Sequence, residues 1–317
     1  MSDLDALRDS VRGFLDKHAP LRSEADVWPR LTRDLGLTGL AVSEDRGGAG
    51  AGWVELCVAL EETGRVLLKA PILSTAVAAT LVPDDLLPGL LDGGTRAALA
   101  LDTDCSVESG CLSGVVPQVV DAGDASLLLV GVGEDLYAVQ DFATAPLPTL
   151  DASRPQAQVE VAGAAARHIG SASTARDLLH LALAAESVGA ARRCIEMSVD
   201  HLKMREQFGR PLGSFQALRH RVADLTVAVE AAASMSWYAA TAAAGGAPDL
   251  PVLAPLAKAT AADAFTHAAG ECIQLHGGIG FTWEHDAHLF FKRAWSTALL
   301  SGDSRSLRRL AYQRANP

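Results

Sequence analysis

The sequence predicts a mainly α fold with a small β domain set between two helical regions. Three observations predict it. Apolar residues near the start fall at Leu4, Leu7, Val11, Phe14 and Leu15, the spacing of one helix face. After Gly93 the pattern changes to short apolar runs separated by Gly and Asp, which read as strands and turns. Beyond Ser171 the helical period returns and persists almost to the end. The expected domains are residues 1–92 (helical), 93–165 (an abbreviated β domain) and 166–317 (a helical bundle).

Taken in order, Leu4 to Leu15 form the first helix. Ser43-Glu44-Asp45-Arg46-Gly47-Gly48-Ala49-Gly50 is a glycine-rich loop ahead of a helix that starts near Trp53. The loop follows no strand and lacks the Gly-x-Gly-x-x-Gly order, so it is no dinucleotide fingerprint. Glu55 to Val66 and Leu73 to Leu81 read as helices. Ala97 to Leu101, Val115 to Val120, Ser126 to Val132 and Leu136 to Val139 read as strands of a domain ending near Val161. Leu181, Ala185, Val188, Ile195, Val199 and Leu202 then make one stripe of a long helix closing at Arg205. Gly209, Pro211 and Gly213 force a turn. A second long helix follows Gln216 and stops at Gly245-Gly246, Leu253 to Leu275 supplies a third, and Phe291 to Arg314 a fourth, together a bundle.

At 317 residues, 49% of them apolar, the chain can fill two or three cores. A net charge of -11 without basic runs argues against nucleic acid as a partner. Five cysteines, an odd number with no Cys-x-x-Cys, read as thiols, and no Cys/His spacing suits zinc. No run of apolar residues is long enough for a membrane span, and the acidic start has no leader-like pattern, so a cytoplasmic setting is expected. His276, His285 and His288 read as hydrogen-bonded scaffold, and Cys272 as a packing residue rather than a nucleophile. No Gly-x-Ser-x-Gly marks a serine hydrolase.

Two stretches carry the chemistry. Arg205-Glu-Gln-Phe208-Gly-Arg-Pro-Leu-Gly-Ser-Phe-Gln216 places a guanidinium beside bare glycine backbone between two long helices, a combination suited to phosphate oxygens. A salt-bridged arginine on a surface loop is the plainer reading of that corner. Gln274-Leu-His-Gly277-Gly278-Ile-Gly-Phe281 again joins an amide to glycines at a helix end. The spacing Arg-x-x-Phe-Gly, Phe-Gln and, about sixty residues on, Gln-x-x-Gly-Gly-x-Gly-Phe resembles the C-terminal domain of the acyl-CoA dehydrogenase flavoproteins. The first ninety or so residues resemble that family's N-terminal helical domain, with Ser43 where proline is usual.

The resemblance implies FAD as cofactor, an acyl-CoA substrate and α,β-desaturation, in which a carboxylate takes the α-proton and the flavin takes the β-hydride. It also implies that the pyrophosphate and adenine of FAD meet Arg205, Phe208, Gln216, Gln274, Gly277 and Gly278 on one chain, while a neighbouring chain holds the flavin ring. The Thr-Glu-Pro-x-x-Gly-Ser-Asp loop and Lys-x-Trp strand of the ring-holding part have no counterpart here, where Ala100 to Asp104 runs almost directly into Ser109 to Gly114. The usual catalytic glutamate, about nine residues after an arginine equivalent to Arg293, is replaced by Gly302. In a minority of members the base lies on the preceding helix, and Asp263 falls close to that place, one methylene shorter than a glutamate.

Selective loss of this kind resembles the shorter subunits of α2β2 dehydrogenases acting on steroid side chains. Three readings follow: a subunit completed by a complementary homologue, with an electron-transfer acceptor reoxidising the flavin; a non-catalytic, flavin-free scaffold of the same fold; or a self-sufficient homodimer using Asp263.

Overall fold

The computed structural model describes residues 3–316; Met1, Ser2 and Pro317, which end the expected domain ranges, lie outside the described residues. The chain separates into two compact units, Met1–Ala59 with Lys69–Ala182, and Leu60–Leu68 with Leu183–Pro317.

The first unit opens with α1 (Asp3–His18), which buries Val11 and Leu15 and carries acids in its first turn and Lys17 and His18 in its last, as the helix dipole favours. The glycine-rich loop leads into α2 (Trp53–Arg65), followed by α3 (Ile72–Leu81) and the short α4 (Leu87–Leu91). Eight strands come next: β1 (Ala97–Ala100), β2 (Ser106–Glu108), β3 (Cys111–Val120), β4 (Leu127–Val132), β5 (Asp135–Val139), β6 (Ala143–Leu147), β7 (Gln156–Ala165) and β8 (Arg167–Ser171). They form two four-stranded sheets, ordered β1-β4-β5-β8 and β2-β3-β7-β6. All pairings are antiparallel except β1 with β4. Ala98, Leu128, Val130 and Val139 of the first sheet share one core with Leu112, Val116, Val119, Val159 and Val161 of the second, so the domain is a small sandwich. The strands run on past Val161, where the sequence expectation placed their end, through Ala165 and then β8 to Ser171. Alternation makes β7 possible: Ala157, Val159 and Val161 are buried and the residues between them exposed.

The second unit is helical. It takes the end of α2 and most of α5 (Ala172–Met204), then a hairpin of β9 (Glu206–Gln207) and β10 (Arg210–Pro211). Three-residue 3₁₀ turn Leu212–Ser214 leads into α6 (Gln216–Ala244), α7 (Leu250–His276), α8 (Ala287–Leu299) and α9 (Ser304–Ala315). The stretch Phe291 to Arg314, expected as one helix, is two, because Ser301 (φ 56°) and Gly302 (φ 102°) turn left-handed. The Asp303 carboxylate then caps α9 by accepting from the Ser306 amide at 2.7 Å. The single stripe expected on α5 is also exceeded: every residue from Leu181 to Ala191 is buried, helped by small side chains. Within this unit α2 meets α5 at a pair of glycines. A Cβ on Gly189 would stand 1.8 Å from the Glu61 carbonyl oxygen, and one on Gly64 2.0 Å from that of Glu186. Ion pairs surround the crossing: Arg192 with Glu61 and Glu230, Arg65 with Glu62 and Glu196, and the buried Arg293 with Glu186 at 3.0 Å. Among the described residues no helix is long and apolar enough to cross a membrane.

Candidate functional site

The corner after α5 is held by its own backbone. The Leu212 amide donates to the Arg205 carbonyl at 2.7 Å, enclosing the hairpin, and Phe208 (φ 55°) and Gly209 (φ 72°) form its tip. A left-handed phenylalanine is a strained choice for a bulky side chain. Its ring is 90% exposed, with its nearest aromatic neighbour, Phe215, edge-on at 6.1 Å. The Arg210 guanidinium lies over the other ring, 4.1 Å from the Phe215 centroid.

The second motif closes α7. Gly277 adopts φ 64°, ψ -143°, a region essentially reserved for glycine, and starts the 3₁₀ segment Gly277–Phe281. A Cβ on Gly277 or Gly278 would meet nothing within 4 Å, whereas one on Gly280 would strike the Ile273 carbonyl oxygen at 2.7 Å. The space beside the first two glycines is open, although the Gly277 amide donates to the Gln274 carbonyl, and the third serves packing. The two motifs are neighbours: His201, in the last turn of α5, stacks on His276, the last residue of α7, with centroids 4.4 Å apart. His285 stacks on His276 in turn at 4.1 Å. The α6–α7 side is fixed by a bidentate pair, Arg221 to Glu271, at 2.7 Å for both contacts.

The structure thus brings Arg205, Phe208, Gln216, Gln274, Gly277 and Gly278 to the same region of the unit, all exposed. Among the described residues the side chains of Arg205, Gln216 and Gln274 make no hydrogen bond or ion pair, so the salt-bridged surface arginine is not what is found. Ser214 Oγ, buried in the same corner, has no hydrogen-bond partner among the described residues. Sequence reasoning passed over it, and its position two residues before Gln216 is the available signal. Phe281 and Trp283, 83% and 75% exposed, widen the surface with aromatic rings. An unpaired guanidinium, two unpaired amides and a glycine turn can together receive an anionic, phosphate-bearing ligand.

The positions considered for a base behave differently. Gly302 holds a left-handed conformation, and the buried Lys258 ammonium donates to the carbonyls of Ala298, at 3.2 Å, and of Gly302. Asp263 sits on a half-exposed helix face, where Oδ2 accepts from Arg308 at 2.7 Å and Oδ1 from the Ser304 hydroxyl at 2.6 Å. Neither place offers a carboxylate in an apolar pocket. Glu284 is exposed. In the first unit the short loop after β1 is fastened down: Thr103 Oγ1 donates to the Gly131 carbonyl at 2.6 Å, and Arg176 donates to Asp102 at 2.9 Å and to the Leu101 carbonyl at 3.2 Å. The hydroxyl available there is already committed to backbone.

Comparison with known proteins identifies the family and the fold. Residues 1–87 match the family model described as the acyl-CoA dehydrogenase N-terminal domain, and residues 172–315 the one described as its C-terminal domain. The acyl-CoA dehydrogenase IpdE2 of Mycobacterium tuberculosis (strain ATCC 25618 / H37Rv) is 38% identical over 96% of this chain and 95% of its own length. The chain belongs to the acyl-CoA dehydrogenase family. FadE34, an acyl-CoA dehydrogenase of the same organism, is 36% identical over 96% of this chain, but the match spans only 44% of FadE34. Among solved structures, a variant of the Tcur3481–Tcur3483 steroid ACAD superposes with a TM-score of 0.91 at 29% identity, covering 99% of this chain and 97% of that one. A chain of the ChsE4–ChsE5 complex from Mycobacterium tuberculosis does so at 0.88 and 25%, covering 100% and 98%. The family's fold, mainly helical with a small sheet region, is that of this chain.

Proposed function

We propose that this chain is one subunit of a heteromeric, flavin-dependent acyl-CoA dehydrogenase and lends the FAD pyrophosphate and adenine contacts to a site completed by a complementary homologue. The observation that carries the reading is an asymmetry within the chain. The side chains of Arg205, Gln216 and Gln274 are exposed and make no hydrogen bond or ion pair among the described residues, while Gly302 offers no side chain and Asp263 is engaged by Arg308 and Ser304. The residues present fit the phosphate-bearing half of FAD: Arg205 as charged donor, Gly277 and Gly278 as a turn without side chains, and Gln216 and Gln274 as amides. They do not fit its ring, since the loop after β1 is short and fastened by Thr103 and Arg176.

Bound FAD supplies a hydride acceptor for α,β-desaturation of an acyl-CoA thioester. On this reading Arg205 neutralises phosphate charge, the glycine turn lets backbone approach the phosphates, and Phe208 offers a ring face to the adenine. The homologue brings the ring contacts and the glutamate. Two findings favour a pair of unlike chains. FadE34 leaves more than half of its length outside the match, room for a second chain of this size. The Tcur3481–Tcur3483 steroid ACAD and the ChsE4–ChsE5 complex each bear two names. The Tcur3481–Tcur3483 name supports a steroid-derived acyl group as substrate. An electron-transfer acceptor and a cytoplasmic setting complete the proposal. The same reading divides the chain at residues 1–92, 93–165 and 166–317.

Co-expression with a complementary full-length homologue tests it. The purified complex should hold about one FAD per pair of unlike chains, and this chain alone should retain little. A yellow homo-oligomer with one flavin per chain would remove the idea.

A further inference from the structure

Under the glycine turn lies a feature that the family motifs do not use. His201, His276 and His285 come from the end of α5, the end of α7 and the segment before α8, and their rings form one row of contacts, His276 lying tilted by 39° to His201 and by 44° to His285. His276 is its buried middle member, and His201 and His285 are partly exposed. Its Nδ1 lies 2.6 Å from the Cys272 carbonyl oxygen, an acceptor only, so Nδ1 carries a hydrogen and Nε2 is the nitrogen that can gain one.

The stack stands where an anion would otherwise be poorly received. α5 and α7 both end here, and helix C-termini carry partial negative charge; the start of α6 at Gln216 offsets only part of it. The same helix ends favour an imidazolium. We propose that the His201–His276–His285 stack is a proton-loaded clamp that joins the Arg205 corner to the Gly277–Gly278 turn, with His276 as positioning residue, and that it takes up a proton as the FAD pyrophosphate binds. This inference rests on the cofactor reading above.

The groups facing His276 set the sign. From α5 come His201 and the Met197 backbone; from α7 comes Cys272, whose sulfur is 3.7 Å from Nδ1 and which is itself bonded to Cys194; His285 closes the other face. Arg205 lies nearer His201. Burial alone would push the His276 imidazole down, but its bonds to the Cys272 sulfur and carbonyl hold it above the ordinary value of 6.5. Burial, then the neighbouring His276, His285 and Arg205, push His201 below that value. The first proton therefore belongs to His276.

FAD is titrated calorimetrically into the flavin-stripped complex of this chain with its complementary homologue, between pH 6 and pH 8.5. Affinity should rise about tenfold as pH falls across this range, with proton uptake seen as a dependence of the heat on buffer ionisation. His276→Gln, which can still donate to the Cys272 carbonyl, should match the parent near pH 8.5 and show a flat profile below. His285→Gln, at a partly exposed position, should flatten it in part and serves if the first variant does not fold. Arg205→Ala should lower affinity at every pH and leave the slope intact. A parent profile without slope, or a slope that survives both histidine variants, overturns the clamp alone. No FAD uptake at any pH, with Arg205→Ala indistinguishable from the parent, overturns the cofactor reading and the clamp with it.

Discussion

Arg308 closes a 2.7 Å ion pair on Asp263, and the Ser304 hydroxyl occupies the other carboxylate oxygen at 2.6 Å. A carboxylate with both oxygens engaged, on a face open to water, is poorly placed to take a proton from carbon. Asp263→Asn in the reconstituted complex should therefore keep most of the dehydrogenation rate. A general base normally contributes about 10² to 10⁴-fold. A loss of that size in single-turnover flavin reduction, with flavin content and assembly unchanged, would make Asp263 the base.

Arg205→Ala removes a side chain with no hydrogen bond or ion pair among the described residues. Thermal stability of the flavin-free chain should be unchanged. Flavin retention should weaken by about 1.5 to 3 kcal/mol, the range of a charge-assisted hydrogen bond. Flavin occupancy after gel filtration and a melting curve separate the two effects.

Two glycines should respond in opposite ways to the same substitution. Gly189→Ala places a methyl 1.8 Å from the Glu61 carbonyl oxygen and must move α2 away from α5, so chemical denaturation should show a loss of about 3 kcal/mol or more. Gly278→Ala meets nothing within 4 Å and should leave the denaturation midpoint in place, while reducing flavin retention where backbone must come close to phosphate.

Glu196 gives a pH signature. Burial opposes its charge, but the bonds from Arg65, at 2.6 and 2.8 Å, and from Arg193 outweigh burial and hold the carboxyl below its ordinary 4.5. A carboxyl depressed on folding contributes stability that is present above pH 4.5 and is lost as pH falls through its folded value. Glu196→Gln should thus melt below the parent at neutral pH, and the gap should close below pH 4.5. A gap that persists into acid would assign the effect to packing.

Much of this was legible in one dimension. The start of α6 at Gln216 and the end of α7 beside Gly277 follow from turn chemistry, and local rules suffice for such punctuation. β6 and β2 were missed because they are short edge strands whose pairing partners, β7 and β3, lie elsewhere in the sequence. The division between α8 and α9 was missed because the apolar pattern continues across it, while one left-handed serine before Gly302 breaks the helix. Motif spacing nominates the individual candidate residues. That Arg205 lacks an ion pair could not, since it depends on where every nearby carboxylate points. Nor could the contact of His201 with His276, seventy-five positions apart in sequence.

The buried Lys258 has a consequence for what position 302 can hold. By holding the carbonyls of Ala298 and Gly302, its ammonium has made the left-handed turn at Gly302 part of the packing. A glutamate restored there would inherit a backbone conformation hostile to any side chain, with a would-be Cβ 3.2 Å from Ser306 Oγ and 3.3 Å from a Leu307 methyl. A glutamate at this position thus demands several coordinated changes, the turn and its lysine among them. On the reading proposed here, the companion's glutamate is one that no single substitution at Gly302 replaces.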